Sequence, residues 1–255
     1  MKLTTYLEFA VETAYLAGRA TLGYFRAGVR PDFKEDDTPV TAADRLSEEL
    51  IRRRIEERYP NHAIVGEEYG AKGTESAAFR WFVDPIDGTK SFIRGVPLYA
   101  VLIGLEIEGE PRVGAAYFPA LDEMLSGATG LGAWCNGRRA HVSDCASLDR
   151  AFMACTNPAS FARHGKQAAF ERLMQKTYYC TGWSDAYGYL LVATGRLELM
   201  LDPVMEVWDC GPFPPILAEA GGYFGDWRGN VTVCGREAMS TTQKLLPDVL
   251  GLLQG

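Results

Sequence analysis

The sequence has no uninterrupted apolar run close to the roughly 20 residues that a membrane-spanning helix requires. Gly, Pro or a charged residue breaks every such stretch within a few positions, so no bilayer anchor is expected. The opening residues, Met1-Lys2-Leu3-Thr4-Thr5-Tyr6-Leu7-Glu8, meet acids at Glu8 and Glu12 before the apolar region of a secretory leader can form, and no small-residue cleavage site follows. A cytoplasmic location is the expectation. None of the six cysteines (Cys135, Cys145, Cys155, Cys180, Cys210, Cys234) belongs to a C-x-x-C pair. Thiols scattered in this way fit a reducing compartment rather than a structural zinc site. A basic excess is also lacking. The net charge of −7 and pI near 5.1 argue against nucleic acid as the main ligand, because such binders carry a basic face. No internal repeat, low-complexity tract or obvious linker is present.

What is present suffices for a sizeable core: 255 residues, 47% of them apolar, a length compatible with one large domain or two modest ones. We read one unit over residues 1–255, with an N-terminal subregion to about residue 140 and a C-terminal subregion from about 141. The segment Gly127 to Gly137 reads as a loop between them. Leu3, Leu7, Val11, Ala14 and Gly18 share one helical stripe and predict an amphipathic helix from about Leu3 to Phe25. The polar segment Pro31 to Pro39 ends that pattern. Thr41 with Asp44 three residues later then resembles a capping box opening a second helix, which Pro60-Asn61 stops near Tyr59.

Short apolar runs follow, at Ile64-Val65, Trp81 to Val83, Tyr99 to Ile107 and Arg112 to Phe118, and read as strands. The second half mixes strand-like segments (Ala151 to Cys155, Thr177 to Cys180, Leu197 to Leu201) with helical ones (Phe161 to Gln175, Asp185 to Thr194, Pro215 to Ala220). Helices outside sheets predict an α/β or layered α+β architecture.

Four separated segments carry acids where elements would begin or end: Thr41 to Asp44, Gly66-Glu67-Glu68, Asp84 to Thr89, and Trp208-Asp209. Singly, each has an ordinary reading. Asp44 or Asp209 can cap a helix, Glu67 and Glu68 can be a solvated pair, and Asp87-Gly88 can be a turn. The segment Asp84-Pro85-Ile86-Asp87-Gly88-Thr89 says more, because it follows an apolar strand directly and presents two carboxylates at its end, with Pro85 stiffening the turn. Hard cations such as Mg²⁺ take oxygen ligands of this kind, and the Ile86 carbonyl can add one. Residues from Gly88 onward would start a short helix, whose free N–H groups suit a phosphate. A bound cation would also supply the positive charge that an anionic substrate needs in an acidic protein.

In chain order, Gly66-Glu67-Glu68, Asp84 to Thr89, and Trp208-Asp209 leading to Ala220-Gly221-Gly222 resemble the signature blocks of the inositol monophosphatase superfamily. The similarity runs from the first helix to about Trp227. The resemblance implies a five-layer α-β-α-β-α sandwich, a homodimer, and Mg²⁺-dependent hydrolysis of a small phosphate monoester with two or three ions per site. It further implies Glu67, Asp84, the Ile86 carbonyl, Asp87 and Asp209 as metal ligands, with Glu68 near a weaker third ion. Asp44 and Thr89 match the pair that orients and deprotonates the attacking water, with Glu67 beside them at the catalytic centre. Asp87, Gly88, Thr89 and Asp209 would face the substrate. Such an in-line displacement needs no covalent intermediate. Without cations, carboxylates brought so close should take up protons.

Lys90 to Leu98 and Trp183 to Tyr189 resemble the histidinol-phosphate branch of that superfamily. Histidinol phosphate carries an ammonium and an imidazole, either of which Asp185 could pair with, whereas an inositol ring offers no cation. An inositol monophosphatase of broad specificity is the alternative. In that case Asp185 merely caps the helix from Ala186 to Thr194, and Tyr187 and Tyr189 pack as ordinary aromatics. Bisphosphate substrates are disfavoured, because only Arg163, His164 and Lys166 could hold a second phosphate, and a solvated helix face explains these equally well. A non-catalytic sensor would be expected to have lost a ligand or Thr89, and every position is filled. One departure from the family pattern stands out: Pro212, Pro214 and Pro215 follow Trp208-Asp209 and are expected to delay or distort the next helix. The angle of Asp209, and of Glu206 as a candidate substrate contact, would change with it.

Overall fold

The computed structural model of the chain describes residues 2–35, 38–74, 76–183 and 185–255. Asp36 and Asp37 of the polar segment, and Ser184 of the stretch before the later helix, lie outside the described residues. Helices α1 (Leu3–Thr21) and α2 (Ala42–Arg58) open the fold, separated by a ribbon of β1 (Asp32–Phe33) and β2 (Pro39–Val40). The first helix stops short of Phe25, and residues 22–28 continue as turns. The capping box of α2 forms as read: Thr41 Oγ1 accepts from the Ala43 N–H while Asp44 Oδ2 accepts from the Thr41 N–H.

The larger sheet contains β3 (Ala63–Gly66), β4 (Gly70–Lys72), β5 (Phe79–Asp87), β6 (Ala100–Ile107), β7 (Glu110–Phe118), β8 (Glu123–Ala128), β9 (Gly132–Cys135) and β10 (Arg138–Arg139). Their spatial order is β10-β9-β8-β7-β6-β5-β3-β4, and β3 alongside β5 is the parallel pair. The short helix α3 (Thr89–Ile93) leaves the end of β5. Residues 127–137, expected as a loop, instead form most of the β8–β9 hairpin, in register from Leu125↔Cys135 to Ala128↔Gly132. Glycines hid that strand pair. Gly127 lies flush against the Ile216 backbone, leaving no apolar alternation to read.

The second sheet orders β12 (Tyr179–Thr181), β11 (Phe152–Ala154), β13 (Leu199–Asp202), β15 (Ala238–Thr242) and β14 (Gly222–Gly225). The first three strands run parallel and the last two pair antiparallel. Around it lie α4 (Pro158–Arg163), α5 (Gln167–Lys176), α6 (Ala186–Ala193), α7 (Val207–Cys210), α8 (Phe213–Glu219) and α9 (Leu246–Gln254). The single helix expected from Phe161 to Gln175 is thus two, broken at Gly165, whose φ of 69° no helix interior accommodates.

Three apolar clusters explain the layering. Ala10, Ala14 and Ala17 of α1 and Ile51 and Ile55 of α2 pack on Trp81, Val83, Ile103 and Tyr117 of the larger sheet. Tyr189 and Leu190 of α6 with Phe213 and Ile216 of α8 fill the space between the sheets, against Phe82, Leu102 and Met200. Phe170 of α5 and Val249 of α9 cover the outer face of the second sheet over Met153, Leu199 and Met239. The result is the α-β-α-β-α sandwich, and among the described residues no helix is long and apolar enough to cross a membrane.

Of the two effects expected of the prolines after Asp209, the structure shows the distortion and not the delay. The helix is not delayed: α7 begins at Val207, and the interruption falls at Gly211 and Pro212, after which α8 starts with prolines in its first turn. Both linker residues keep right-handed helical backbone angles. A side chain on Gly104 or Gly114 of the adjoining sheet would collide with the Gly211 or Pro212 carbonyl, so the interrupted helix lies directly on strand backbone.

Candidate active site

The end of β5 supplies the first two carboxylates. Its pairing with β6 slips between Asp84 and Asp87, and the Ile86 N–H donates to Asp84 Oδ1 at 3.0 Å, which folds the intervening turn back on itself. Gly88 then takes φ 81°, a left-handed conformation that costs a glycine little. A Cβ there would also lie 3.0 Å from Asp185 Oδ2, so the glycine lets Asp185 approach the turn. The third carboxylate, Asp209, is the third residue of α7, and its Oδ2 accepts from the Glu206 N–H at 2.9 Å. Asp209 thus does not cap a helix that follows it but closes the capping box of its own helix, whose N-cap is Glu206, and that bond holds it in the site. Asp84, Asp87 and Asp209 each bring an oxygen within 4.8 Å of the others.

Two further segments converge on this triad. Because β3 runs parallel to β5 with Gly66 opposite Val83, Glu67 emerges beside Asp84, near enough for its charge to oppose the ionisation of Asp84. Asp44, fully buried at the start of α2, accepts from Thr41 N at 2.7 Å and Thr41 Oγ1 at 2.6 Å. Its other oxygen faces Thr89 Oγ1 at 3.4 Å, and that hydroxyl lies 3.0 Å from the Ile86 carbonyl oxygen. Ser47 of the same helix donates to the Pro85 carbonyl at 3.2 Å. Lys34, from the ribbon before α2, bonds Glu67 at 2.9 Å and Glu68 at 2.8 Å. Glu67 and Glu68 are therefore not a solvated pair.

Burial and mutual repulsion push these acids up together. Asp84 is raised well above its usual value by burial and then by the charges of Glu67, Asp87 and Asp209. Asp87 is raised well above it too, by burial and by Asp185 and Asp209. Burial takes Asp209 to about 7 and Asp44 to about 6, and raises Glu67 and Glu68 against the counter-effect of Lys34. A set of oxygen donors that must otherwise hold protons fits a small hard dication, whose charge reverses the local balance.

Beside the triad opens a cavity of about 430 Å³ between the two sheets, lined by Glu67, Asp87, Thr89, Asp185, Asp202 and Asp209 among others. Asp87 Oδ2 accepts the Ala186 N–H at 2.7 Å, so the acidic turn itself caps α6. The Asp185 side chain makes no capping bond; Ser91 Oγ lies 3.3 Å from its Oδ2. Asp185 is held at φ 55° and ψ −153° with its N–H on Thr156 Oγ1 at 3.1 Å, a backbone state that costs a non-glycine residue about 1–3 kcal/mol. Its helix-cap reading is thereby replaced.

Two charged residues at the site, one acid and one base, carry more than their place in the sequence suggested. Asp202, the last residue of β13, is buried and accepts from Tyr189 Oη at 2.8 Å and Thr156 N at 3.0 Å, burial taking it to about 6. Its signal in the sequence was an acid closing an apolar strand. Lys34 was legible only as a cation in an acidic segment. Lys166, by contrast, bonds the Pro203 carbonyl at 2.9 Å and pairs with Glu237 over the Trp227 ring, while Arg163 and His164 are exposed.

Fold and site together define a layered α+β protein whose acidic cleft can hold divalent cations against an anionic ligand. The profile of the inositol monophosphatase family matches residues 2–252. A histidinol-phosphatase of Chlorobaculum parvum is 40% identical over 238 residues, covering 93% of this chain and 92% of its own. A fructose-1,6-bisphosphatase/inositol-1-monophosphatase of Aquifex aeolicus is 36% identical over 229 residues, covering 87% and 86%. The solved inositol monophosphatase of Anabaena superposes with a TM-score of 0.87 at 29% identity, over 100% of this chain and 97% of that one. The chain belongs to the inositol monophosphatase family and is a phosphoric monoester hydrolase.

Proposed function

We propose that this enzyme is a Mg²⁺-dependent phosphatase of histidinol phosphate. The observation that carries the substrate is the pair Asp185 and Asp202, two carboxylates lining the same cavity as Asp87 and Asp209. Histidinol phosphate offers an ammonium and an imidazole for them, and a charge-assisted bond to a buried carboxylate is roughly twice as strong as a neutral one. The histidinol-phosphatase of Chlorobaculum parvum adds support.

Bound Mg²⁺ would supply the charge that holds the phosphoryl oxygens, acidifies the attacking water and steadies the departing alkoxide. Glu67, Asp84, Asp87, Asp209 and the Ile86 carbonyl would hold it, with Glu68 at the margin. The rest falls to the protein. Thr89 Oγ1, lying between the Ile86 carbonyl and Asp44, orients the water, and Asp44, with its pKa near 6, takes the proton as the new P–O bond forms. The ester P–O bond breaks on the opposite side, and the alcohol leaves with a proton from solvent.

A panel of histidinol phosphate, inositol 1-phosphate, fructose 1,6-bisphosphate and adenosine 3′,5′-bisphosphate under saturating Mg²⁺ tests the reading. Histidinol phosphate is expected to have the highest kcat/KM; a preference above about tenfold for inositol 1-phosphate would replace the assignment. Asp185→Asn is expected to raise KM for histidinol phosphate about tenfold while leaving a generic aryl phosphate, which has no cationic group, nearly unaffected. Equal losses on both substrates would make Asp185 a shaper of the cavity instead.

A further inference from the structure

Helix α2 reaches the site at a place that neither the metal ligands nor the water-orienting pair accounts for. Glu48 lies one turn after Asp44 on the same face and is fully buried. Its Oε2 accepts the Glu68 N–H at 2.7 Å, and its Oε1 accepts the Tyr69 N–H at 3.2 Å and Arg52 Nε at 2.7 Å. Arg52 in turn donates to the Gly70 carbonyl. The backbone from residue 68 to 70 is thus gripped by one buried ion pair, while the Glu67 N–H is held on the opposite side by the Val83 carbonyl at 3.2 Å. Gly66 has no side chain because a Cβ there would run into the Glu48 carboxylate and the Arg52 guanidinium.

We infer that Glu48, backed by Arg52, is the positioning residue for the Glu67-Glu68 turn, setting the metal affinity of the site without touching metal or substrate. A buried ion pair is poor support for stability, since desolvation offsets much of the attraction. The placement of this one has another use. A carboxylate accepting two consecutive backbone N–H groups fixes the turn's orientation, and through it the direction in which Glu67 leaves the sheet toward Asp84. Contacts that orient metal ligands typically carry about 10–100-fold in metal affinity. The inference rests on the divalent-metal reading above.

Glu48→Gln keeps the shape of the side chain and places an amide where the ion pair and two N–H donors require an anion. Calorimetric titration of metal-free protein with Mg²⁺, at a temperature where circular dichroism shows both proteins folded, is expected to give a Kd at least about tenfold weaker than the parent. An unchanged Kd in folded Glu48→Gln overturns the inference, whatever happens to the thermal midpoint, because a merely structural contact moves the midpoint alone. Should Glu48→Gln not fold, Arg52→Lys decides: it removes the fork that reaches Gly70 and leaves the Glu48 charge in place. Weaker Mg²⁺ binding by Arg52→Lys supports the inference, and parental binding overturns it. A parent protein that binds no Mg²⁺ sinks the metal reading itself, a result distinct from a variant that binds like its parent.

Discussion

Asp84→Asn is expected to lower kcat/KM for any phosphate monoester by about three orders of magnitude, since a metal's contribution of several kcal/mol converts at 1.36 kcal/mol per decade. The same substitution is expected to raise the thermal midpoint of the protein in chelator. Asp84 is 2% exposed and sits among Glu67, Asp87 and Asp209, whose charges oppose its ionisation after burial itself. An amide removes that repulsion, keeps an oxygen for the Ile86 N–H, and can donate to Asp209. Opposite signs in activity and metal-free stability are what distinguish a functional charge from a structural one. Steady-state kinetics and a thermal melt of the same preparation measure both, and a loss of stability with retained activity would remove Asp84 from the metal site.

Stability of the metal-free enzyme is expected to fall as pH rises from about 4 to about 7, the reverse of the common pattern for paired carboxylates. The sign follows from the direction of the shifts. In the folded chain Asp44 titrates near 6 and Asp209 near 7, and Asp84 and Asp87 are also raised well above their usual values. The unfolded chain releases the same protons near 4. Between these values the folded state binds more protons, so stability present below pH 4 is progressively lost as pH passes through the folded values. Mg²⁺ binds the ionised set, and its stabilisation should therefore grow over the same interval. Melts in chelator and in saturating Mg²⁺ at pH 5 and pH 8 test this: the Mg²⁺-induced rise should be several-fold larger at pH 8, and an equal rise at both would show that the acids do not form the metal site.

The legibility of these features divides along physical lines. The turn from Asp84 to Thr89 could be recognised in the amino-acid order because its chemistry is local: a strand end, a proline, two acids and a left-handed glycine are all neighbours in the chain. The capping box at Thr41 and Asp44 is local in the same sense. The hairpin over residues 123–135 escaped, because the glycines that let it pack on α8 erase the alternation by which strands are recognised. The proline-rich stretch was only half legible, for a related reason. Local propensity forbids a continuous helix there but does not say where the break falls, and packing on Gly104 and Gly114 places it after Asp209.

By itself, then, the order of residues determined the acidic turn from Asp84 to Thr89, the capping box at Thr41 and Asp44 and, through a resemblance, the layered fold and the class of reaction. Only the folded chain decided the partners across the site. It put Asp87 on the N–H of Ala186, 99 positions away, Asp202 and Asp185 on the wall of one cavity, Lys34 between Glu67 and Glu68, and Glu48 under the turn that carries them. Each of these is a contact between elements that share no local signal, and its energy comes from desolvation and geometry that exist only once both sheets have closed.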